Sequence, residues 1–228
     1  MSVFSSDSKL MRFLNGVFDE IALNILFLVC CLPIVTIGAS ASALITAHRR
    51  VMYSHATCAS TFFKCFRRNC RRMIPAWLIM LALMLLFGYS AYFGVKFQME
   101  TRYLSMVALG LVACICAVLF QFDSHFECSP GRLLFNSFLM FFTSPFRSVL
   151  VALFTWLPLL LLLWAGPELI LNSSILWLLF YFSLIAALNS WILKMPFKLI
   201  EQNSGADFIT MEDEDAREHG VASEDEEE

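Results

Sequence analysis

The side chains best suited to hold a metal ion lie between residues 48 and 70. They are His48, His55, Cys58, Cys65 and Cys70. Structural zinc sites normally combine two short ligand pairs, such as Cys-x2-Cys followed by a second pair, because four ligands must surround one ion. This stretch has one His-x2-Cys spacing and scattered partners. We therefore predict ordinary reduced thiols here, with no metal site and no cofactor.

A second candidate for chemistry is the group in which Asp123 and Glu127 flank His125. Such a group could exchange protons in acid–base catalysis if a pocket held it. It directly follows a long apolar segment, so we predict solvated residues at the end of a membrane helix. The sequence also lacks the phosphate-binding G-x4-G-K-[S/T] pattern, the G-x-S-x-G motif and the H-E-x-x-H motif. We therefore predict no catalytic residue and no enzymatic activity.

The elements that must position these residues are strongly apolar. Of the 228 residues, 59% are hydrophobic and 23 are phenylalanine, which is more than soluble domains normally carry. Five charge-free segments are each long enough to cross about 30 Å of hydrocarbon as a helix: residues 21–47, 73–95, 103–122, 148–165 and 169–193. The sequence therefore predicts an all-α polytopic membrane domain over residues 1–200, with about five transmembrane helices.

The lysines and arginines between these segments predict the orientation, because cytoplasmic loops are enriched in them. Eleven fall on one side: Arg49, Arg50, Lys64, Arg67, Arg68, Arg71, Arg72, Arg132, Arg147, Lys194 and Lys198. The other side has Lys9, Arg12, Lys96 and Arg102. This bias predicts an external N-terminus and a cytoplasmic C-terminus. A cleaved signal peptide is a competing interpretation, but the basic residues that follow it would resist export.

The last 28 residues differ sharply from the rest of the chain. Residues 201–228 hold twelve acidic side chains and one arginine. Few apolar residues are available there to form a core, so we predict a disordered acidic cytoplasmic tail. We favour a solvated tail over one that folds back on the arginine-rich segment, because contacts between exposed charges are weak and screened by salt.

Residues 59–73 have the pattern of an amphipathic helix. Phe62, Phe66, Cys70 and Met73 share one face at 100° per residue. The opposite face carries four cations, Lys64, Arg67, Arg68 and Arg71. We predict a cytoplasmic interfacial helix whose cations contact lipid headgroups. A cytoplasmic extension of the second span explains the same pattern equally well.

The first apolar segment contains a helix breaker within the stretch "CCLPIVTIGASASAL". Pro33 removes a backbone donor and bends a helix, and Thr36 and Ser40 follow it closely. Gly38 and Ser42 form a ridge of small residues that lets another helix approach. We therefore predict a bent, tightly packed first helix. The alternative is a broken helix that lines a substrate site, but the five segments lack the buried charge usual in coupled transporters.

Asn189 is the most polar residue well inside a predicted span. We expect it to bond to another helix, and the hydroxyl groups of the first span are candidates. A cavity lined by Asn189 together with Thr36, Ser40 and Ser42 would favour a transporter. A fully packed bundle would count against one.

Two of these motifs resemble the YesL family of bacterial integral membrane proteins. The first runs Leu-Pro-Ile-Val-Thr-Ile-Gly-Ala-Ser over residues 32–40. The second consists of Phe62, Phe63, Phe66, Arg67 and Asn69. The likeness covers about residues 11–75. Members of that family carry a domain of unknown function and are often encoded beside carbohydrate-uptake genes, so the resemblance implies an accessory role near sugar importers.

Together these features predict a non-enzymatic accessory or scaffold protein associated with carbohydrate uptake in the bacterial cell membrane. The alternative is a small oligomeric transporter or channel for a neutral solute. The partners we expect are a bilayer with anionic lipids, the permease of a carbohydrate importer and further copies of this chain. We expect no nucleic acid partner.

Overall fold

The computed structural model describes residues 9–54, 58–98, 100–165, 181–204 and 209–210. Apart from one pair of two-residue strands and a short 3-10 helix, Ile34–Thr36, these residues form α-helices. The helices are α1 (Lys9–Cys30), α2 (Ile37–Ser54), α3 (Cys58–Lys96), α4 (Thr101–His125), α5 (Pro130–Thr143), α6 (Pro145–Ala165) and α7 (Phe182–Ser204). The predicted all-α class is confirmed.

Helices α3 and α4 form the long antiparallel pair of the bundle. Both are long and apolar enough to cross a membrane, and they contain the predicted spans 73–95 and 103–122. The hydroxyl groups of Ser90 and Ser105 lie 2.7 Å apart between them. Near the turn, a Cβ atom at Gly94 would lie 2.8 Å from Arg102 Cα, so glycine permits the close approach.

Helices α5 and α6 contain a further candidate for a membrane span. Residues 130–143 and 145–161 are together long and apolar enough to cross a membrane, but the axes of the two helices differ by 113°. The predicted span 148–165 lies within α6. Residues 169–180 of the predicted span 169–193 lie outside the described residues, and residues 182–193 belong to α7. Among the described residues, two helices, or three if the bent pair counts, can therefore cross a membrane.

Residues 21–47 do not form the single bent helix that we predicted. Helix α1 ends at Cys30 and α2 begins at Ile37. Glu20 Oε1 lies 2.9 Å from His48 Nδ1 at one end of the pair, and Cys31 Sγ lies 3.0 Å from Ser40 Oγ at the other. The chain therefore reverses direction at the break at Pro33. The end of α2 lies beside α1, so residues 21–47 return to the end of the bundle from which they started.

This hairpin, which we define as α1 and α2 with the 3-10 helix between them, packs along the first half of α3. Cys58 Sγ lies 3.5 Å from the Asp19 carbonyl oxygen at the base of the hairpin. At its tip, Trp77 Nε1 donates a hydrogen bond of 2.9 Å to the Ile34 carbonyl oxygen. The tip exposes large apolar side chains, and Leu32 is 80% exposed. The rest of α3 extends beyond the tip.

The amphipathic segment 59–73 is continuous with the second span inside α3. Phe62, Cys65 and Met73 are buried in the protein core. Its apolar face therefore packs within the protein. The continuity of α3 favours the second interpretation, an extension of the second predicted span.

Two elements of secondary structure lie in the first ten residues of the predicted acidic tail. Helix α7 continues to Ser204. Ile209–Thr210 then pairs antiparallel with Phe126–Glu127, directly after α4. This pairing places the start of the tail beside the end of α4. Residues 205–208 and 211–228 lie outside the described residues.

Candidate functional site

The break at Pro33 is closed by side-chain hydrogen bonds. Thr36 Oγ1 lies 2.7 Å from the Cys30 carbonyl oxygen and 2.8 Å from the Pro33 carbonyl oxygen, so its hydroxyl proton is shared between them. Trp77 satisfies the Ile34 carbonyl oxygen from α3. Helix ends leave carbonyl groups without partners, and here the Cys30 carbonyl oxygen at the end of α1 gains one from Thr36. Pro33 and Thr36 therefore shape and pack the hairpin tip.

Gly38 and Ser40 hold the same tip against α3. A Cβ atom at Gly38 would lie 2.6 Å from Trp77 Cβ and 2.8 Å from Trp77 Cγ. These distances are shorter than a van der Waals contact, so only glycine lets the indole approach the start of α2. Ser40 Oγ donates to the Ile37 carbonyl oxygen at 3.0 Å and contacts Cys31, which ties α2 to the end of α1.

Four polar side chains meet where α2, α3 and α4 pack together, and we call them the Asp123 cluster. Ser42 Oγ donates to Asp123 Oδ2, and Asn69 Nδ2 donates to Ser42 Oγ at 2.8 Å. Arg72 Nε lies 3.4 Å from Asp123 Oδ1. Arg72 Nη2 also donates to Asn69 Oδ1 at 3.1 Å. Each of the four side chains thus contacts two of the others.

The Asp123 cluster satisfies a carboxylate that is removed from solvent. Asp123 is 0% exposed, as are Ser42 and Asn69. A buried carboxylate is tolerated when a cation and hydrogen-bond donors compensate it. Our prediction that Asp123 is solvated is wrong, because the end of α4 is covered by α2 and α3. The cluster can fix the relative position of three helices.

A second ion pair closes the base of the hairpin. His48 and Glu20 form it between α2 and α1. Burial by itself would raise the pKa of Glu20, but the hydrogen bond and charge of His48 hold that pKa below its ordinary value. Nearby, the Ser183 backbone N–H donates to Asn24 Oδ1 at 2.9 Å, which attaches α7 to α1.

A cavity of about 240 Å³ lies between the hairpin and helices α3, α4, α6 and α7. Aromatic and aliphatic side chains provide most of its wall, among them Phe27, Leu44, Ile45, Trp77, Phe120, Trp156, Phe182 and Ile185. Four polar side chains also line it: Gln121, Thr155, Tyr181 and Asn189. The cavity can hold a small molecule with a largely apolar surface.

Asn189 bonds to another helix, as we expected, but its partner is on α6 and not among the hydroxyl groups of the first apolar segment. Its Nδ2 donates to Thr155 Oγ1 at 3.0 Å, and Thr155 Oγ1 donates in turn to the Val151 carbonyl oxygen at 2.8 Å. The cavity wall includes Asn189. Ser40 and Ser42 are instead used in packing, and Thr36 caps α1. Of the four residues predicted to line a cavity, only Asn189 belongs to the described cavity wall.

The four predicted headgroup cations lie together in a groove. Lys64, Arg67, Arg68 and Arg71 line it, with a volume of about 720 Å³. Arg50 from α2 adds a fifth cation, and Phe63 and Cys65 complete the wall. Lys64, Arg67 and Arg71 are exposed. The groove can attract an anionic group.

The metal-ligand candidates do not form a site within the part of the chain that the structure describes. No group of three or more histidine, cysteine or acidic side chains there has the geometry to hold an ion. His48 is engaged with Glu20, and Cys58, Cys65 and Cys70 are not in disulfide bonds. His55 lies outside the described residues.

Sequence reasoning missed the Asp123 cluster, although one signal for it was present. At 100° per residue, Asn69 falls on the apolar face of the segment that carries Phe62, Cys65 and Met73. A polar side chain on a buried helix face needs a partner. That partner comes from α2, so the pattern of α3 predicts the need for a hydrogen bond but not its source.

The hairpin and the first part of α3 also carry the likeness to known proteins. Residues 21–91 match the family described as "Protein of unknown function, DUF624". The match includes Pro33, Gly38, Ser42 and the α3 members of the Asp123 cluster, and it ends before Asp123 itself. No curated protein and no solved structure matches the chain. The hairpin and the part of α3 on which it packs therefore lie largely within the segment that matches this family.

Proposed function

We propose that this DUF624 protein is an integral protein of the bacterial cell membrane and a non-enzymatic accessory or scaffold protein in carbohydrate uptake. The pairing of buried ionisable side chains with each other carries the proposal. Asp123 is engaged by Ser42 and Arg72, and Glu20 by His48. Charges used in this way hold helices together. The resemblance to the YesL family supports the association with carbohydrate uptake.

The hairpin supports an orientation that differs from the one we predicted. Glu20 of α1 lies against His48 of α2, which supports an N-terminus on the same side as the basic residues that follow α2. Lys9 and Arg12 then join the eleven cations already on that side, which gives thirteen against Lys96 and Arg102. By the positive-inside rule, we propose that both termini are cytoplasmic and that the hairpin enters the membrane from the cytoplasmic side.

Labelling of intact cells with a membrane-impermeant thiol reagent tests this orientation. We expect Cys58, Cys65, Cys70 and Cys128 to remain unlabelled. Glu100→Cys, in the exposed turn before α4, is expected to gain label in intact cells. Ser60→Cys, exposed at the start of α3, is the matched control and is expected to react after permeabilisation alone.

The N-terminus needs its own readout. An epitope tag there is expected to bind antibody after permeabilisation and not in intact cells. Binding in intact cells, with Glu100→Cys also labelled, would restore the predicted external N-terminus. It would then exclude a hairpin that enters from the cytoplasmic side.

The proposed partners follow from the groove and from the proposed role. Lys64, Arg67, Arg68 and Arg71 are placed to contact anionic headgroups, because each cation near a charged bilayer surface adds about 1 kcal/mol of attraction. The accessory role implies contact with the permease of a carbohydrate importer. Self-association into a homo-oligomer is the third proposed interaction.

Cross-linking in native membranes tests the accessory role. We expect purification on a tag, followed by mass spectrometry, to recover a sugar permease in near-equal amount with this protein. An unrelated multi-pass membrane protein with the same tag and expression level is the control. Recovery of this chain alone, as a defined oligomer, would contradict the accessory role and favour an independent transporter.

The second candidate function is a small oligomeric transporter or channel for a neutral solute. The cavity favours it, because its described wall contains Gln121, Thr155, Tyr181 and Asn189 but no ionisable acidic or basic side chain other than the phenol. Flux of labelled neutral solutes into proteoliposomes separates the two functions. Flux by the purified protein alone would support transport, whereas co-purification of a permease without flux would support the accessory role.

A further inference from the structure

We propose that the cavity between the hairpin and α3, α4, α6 and α7 is a binding site for a small uncharged alcohol with a largely apolar body. The inference deepens the second candidate function by naming a ligand class. It concerns binding, which a membrane protein can have with or without transport. The site rests on three observations: the size of the cavity, its apolar wall and one buried oxygen atom of Asn189.

The size of the cavity suits a molecule of one or two rings. Its volume is about 240 Å³. An engineered cavity of about 150 Å³ in another protein stays dry and binds benzene, so the space here accepts a somewhat larger body. Trp77, Phe120, Trp156 and Phe182 contribute aromatic surface on several sides, which suits a flat or ring-shaped ligand.

The Asn189 side chain supplies the polar contact. Asn189 is 2% exposed, and its Oδ1 has no hydrogen-bond partner among the described residues. Its orientation is fixed by Thr155, whose hydroxyl proton goes to the Val151 carbonyl oxygen and whose oxygen must therefore accept from Asn189 Nδ2. The carbonyl oxygen of Asn189 is left to accept a bond. A buried acceptor without a donor is costly, and a ligand hydroxyl would remove that cost.

The wall also decides which ligands do not fit. An ion would enter without a compensating charge, which is unfavourable in apolar surroundings. A sugar carries several hydroxyl groups, and most of them would lose water without gaining partners on this wall. A lipid acyl chain fits the apolar surface but has no donor for Asn189. The alcohol group is therefore the feature that separates the proposed ligand from an acyl chain that merely fills the space.

Fluorescence quenching with a matched pair of probes tests the proposal. Purified full-length protein in detergent is titrated with 4-bromobenzyl alcohol and with 4-bromotoluene. Bromine quenches tryptophan on contact, and Trp77 and Trp156 line the cavity. We expect saturable quenching by both probes. The affinities of the two probes are first corrected for their different partition into detergent. After this correction the alcohol is expected to bind about tenfold tighter than the toluene, as one additional hydrogen bond implies.

Two variants and a control assign the effect to the cavity. Asn189→Leu is expected to abolish the preference for the alcohol while quenching by the toluene remains. Ala186→Leu, which fills part of the wall, is expected to weaken both probes at least fivefold while Asn189 is retained. Asn136→Leu on α5 makes the same change outside the described cavity wall and is expected to leave both titrations unchanged.

Three outcomes would overturn the proposal. They are linear quenching without saturation, equal preference for the alcohol in wild type and Asn189→Leu, and unchanged binding in Ala186→Leu. If Asn189→Leu does not fold, the proposal is tested by titrating both probes into the wild-type protein and into Ala186→Leu. Because none of these titrations measures flux or a partner, loss of the binding site and loss of either proposed function are observed separately.

Discussion

Replacement of Asp123 by alanine is expected to lower the free energy of unfolding by about 3 kcal/mol. The carboxylate is fully buried, and it accepts a hydrogen bond from Ser42 while facing the Arg72 guanidinium. Without it, the Arg72 guanidinium loses the carboxylate that it faces. Arg72 retains slight contact with solvent, 16% for its side chain, so the loss falls at the lower end of the range for broken buried pairs.

Chemical unfolding in detergent measures this loss, and two further variants define its origin. Glu100→Ala removes an exposed carboxylate and is expected to change stability by less than about 0.5 kcal/mol. The double variant Asp123→Leu/Arg72→Met removes both charges and is expected to recover much of the stability, because an apolar replacement of a buried pair is often neutral. Equal stability of Asp123→Ala and wild type would mean that the carboxylate is hydrated and that the Asp123 cluster does not hold the helices.

Replacement of Gly38 by alanine is expected to destabilise the protein by about 1–3 kcal/mol, as overpacking does. The new methyl group would lie 2.6 Å from Trp77 Cβ. Either the hairpin tip or the indole must then move, and the hydrogen bond from Trp77 to the Ile34 carbonyl oxygen is lost with it. The change is measured by thermal unfolding in detergent.

Two other glycines provide matched controls for this prediction. A Cβ atom at Gly88 or Gly110 would meet nothing within 4 Å, and both positions lie inside long helices. Alanine there is expected to keep or raise stability, by up to about 1 kcal/mol, because glycine is a poor helix former. If Gly38→Ala behaves like these two variants, the hairpin tip does not pack on Trp77 as described.

The helical class and the two main candidates for membrane spans follow from sequence because hydrophobicity is a local property. Residues 73–95 and 103–122 are long, apolar and charge-free, and no alternative fold could hide them from water. Opposed faces likewise predicted a helix over residues 59–73, and the structure contains it within α3. The small residues after Pro33 predicted close packing, which Gly38 shows against Trp77.

Only the tertiary structure decided the path of the first apolar segment. A proline in an apolar run predicts a disturbed helix, but the same local sequence is compatible with a bent helix and with a reversal of the chain. The reversal depends on contacts that are distant along the chain, namely Glu20 with His48 and Ile34 with Trp77. The orientation that we propose for the N-terminus rests on the same contacts, whereas the count of basic residues around a single span predicted the opposite side.

The same distinction explains the candidate sites. The sequence showed that Asp123 and Asn189 are polar groups beside or within apolar segments, and it predicted that Asn189 would need a partner. It did not determine that Asp123 is covered by helices α2 and α3, or that Asn189 lines a cavity. Burial and cavities arise between elements that are far apart in sequence. The sequence therefore determined where polar groups lie along the apolar segments, and helix packing decided which of them are buried and which find a partner among the described residues.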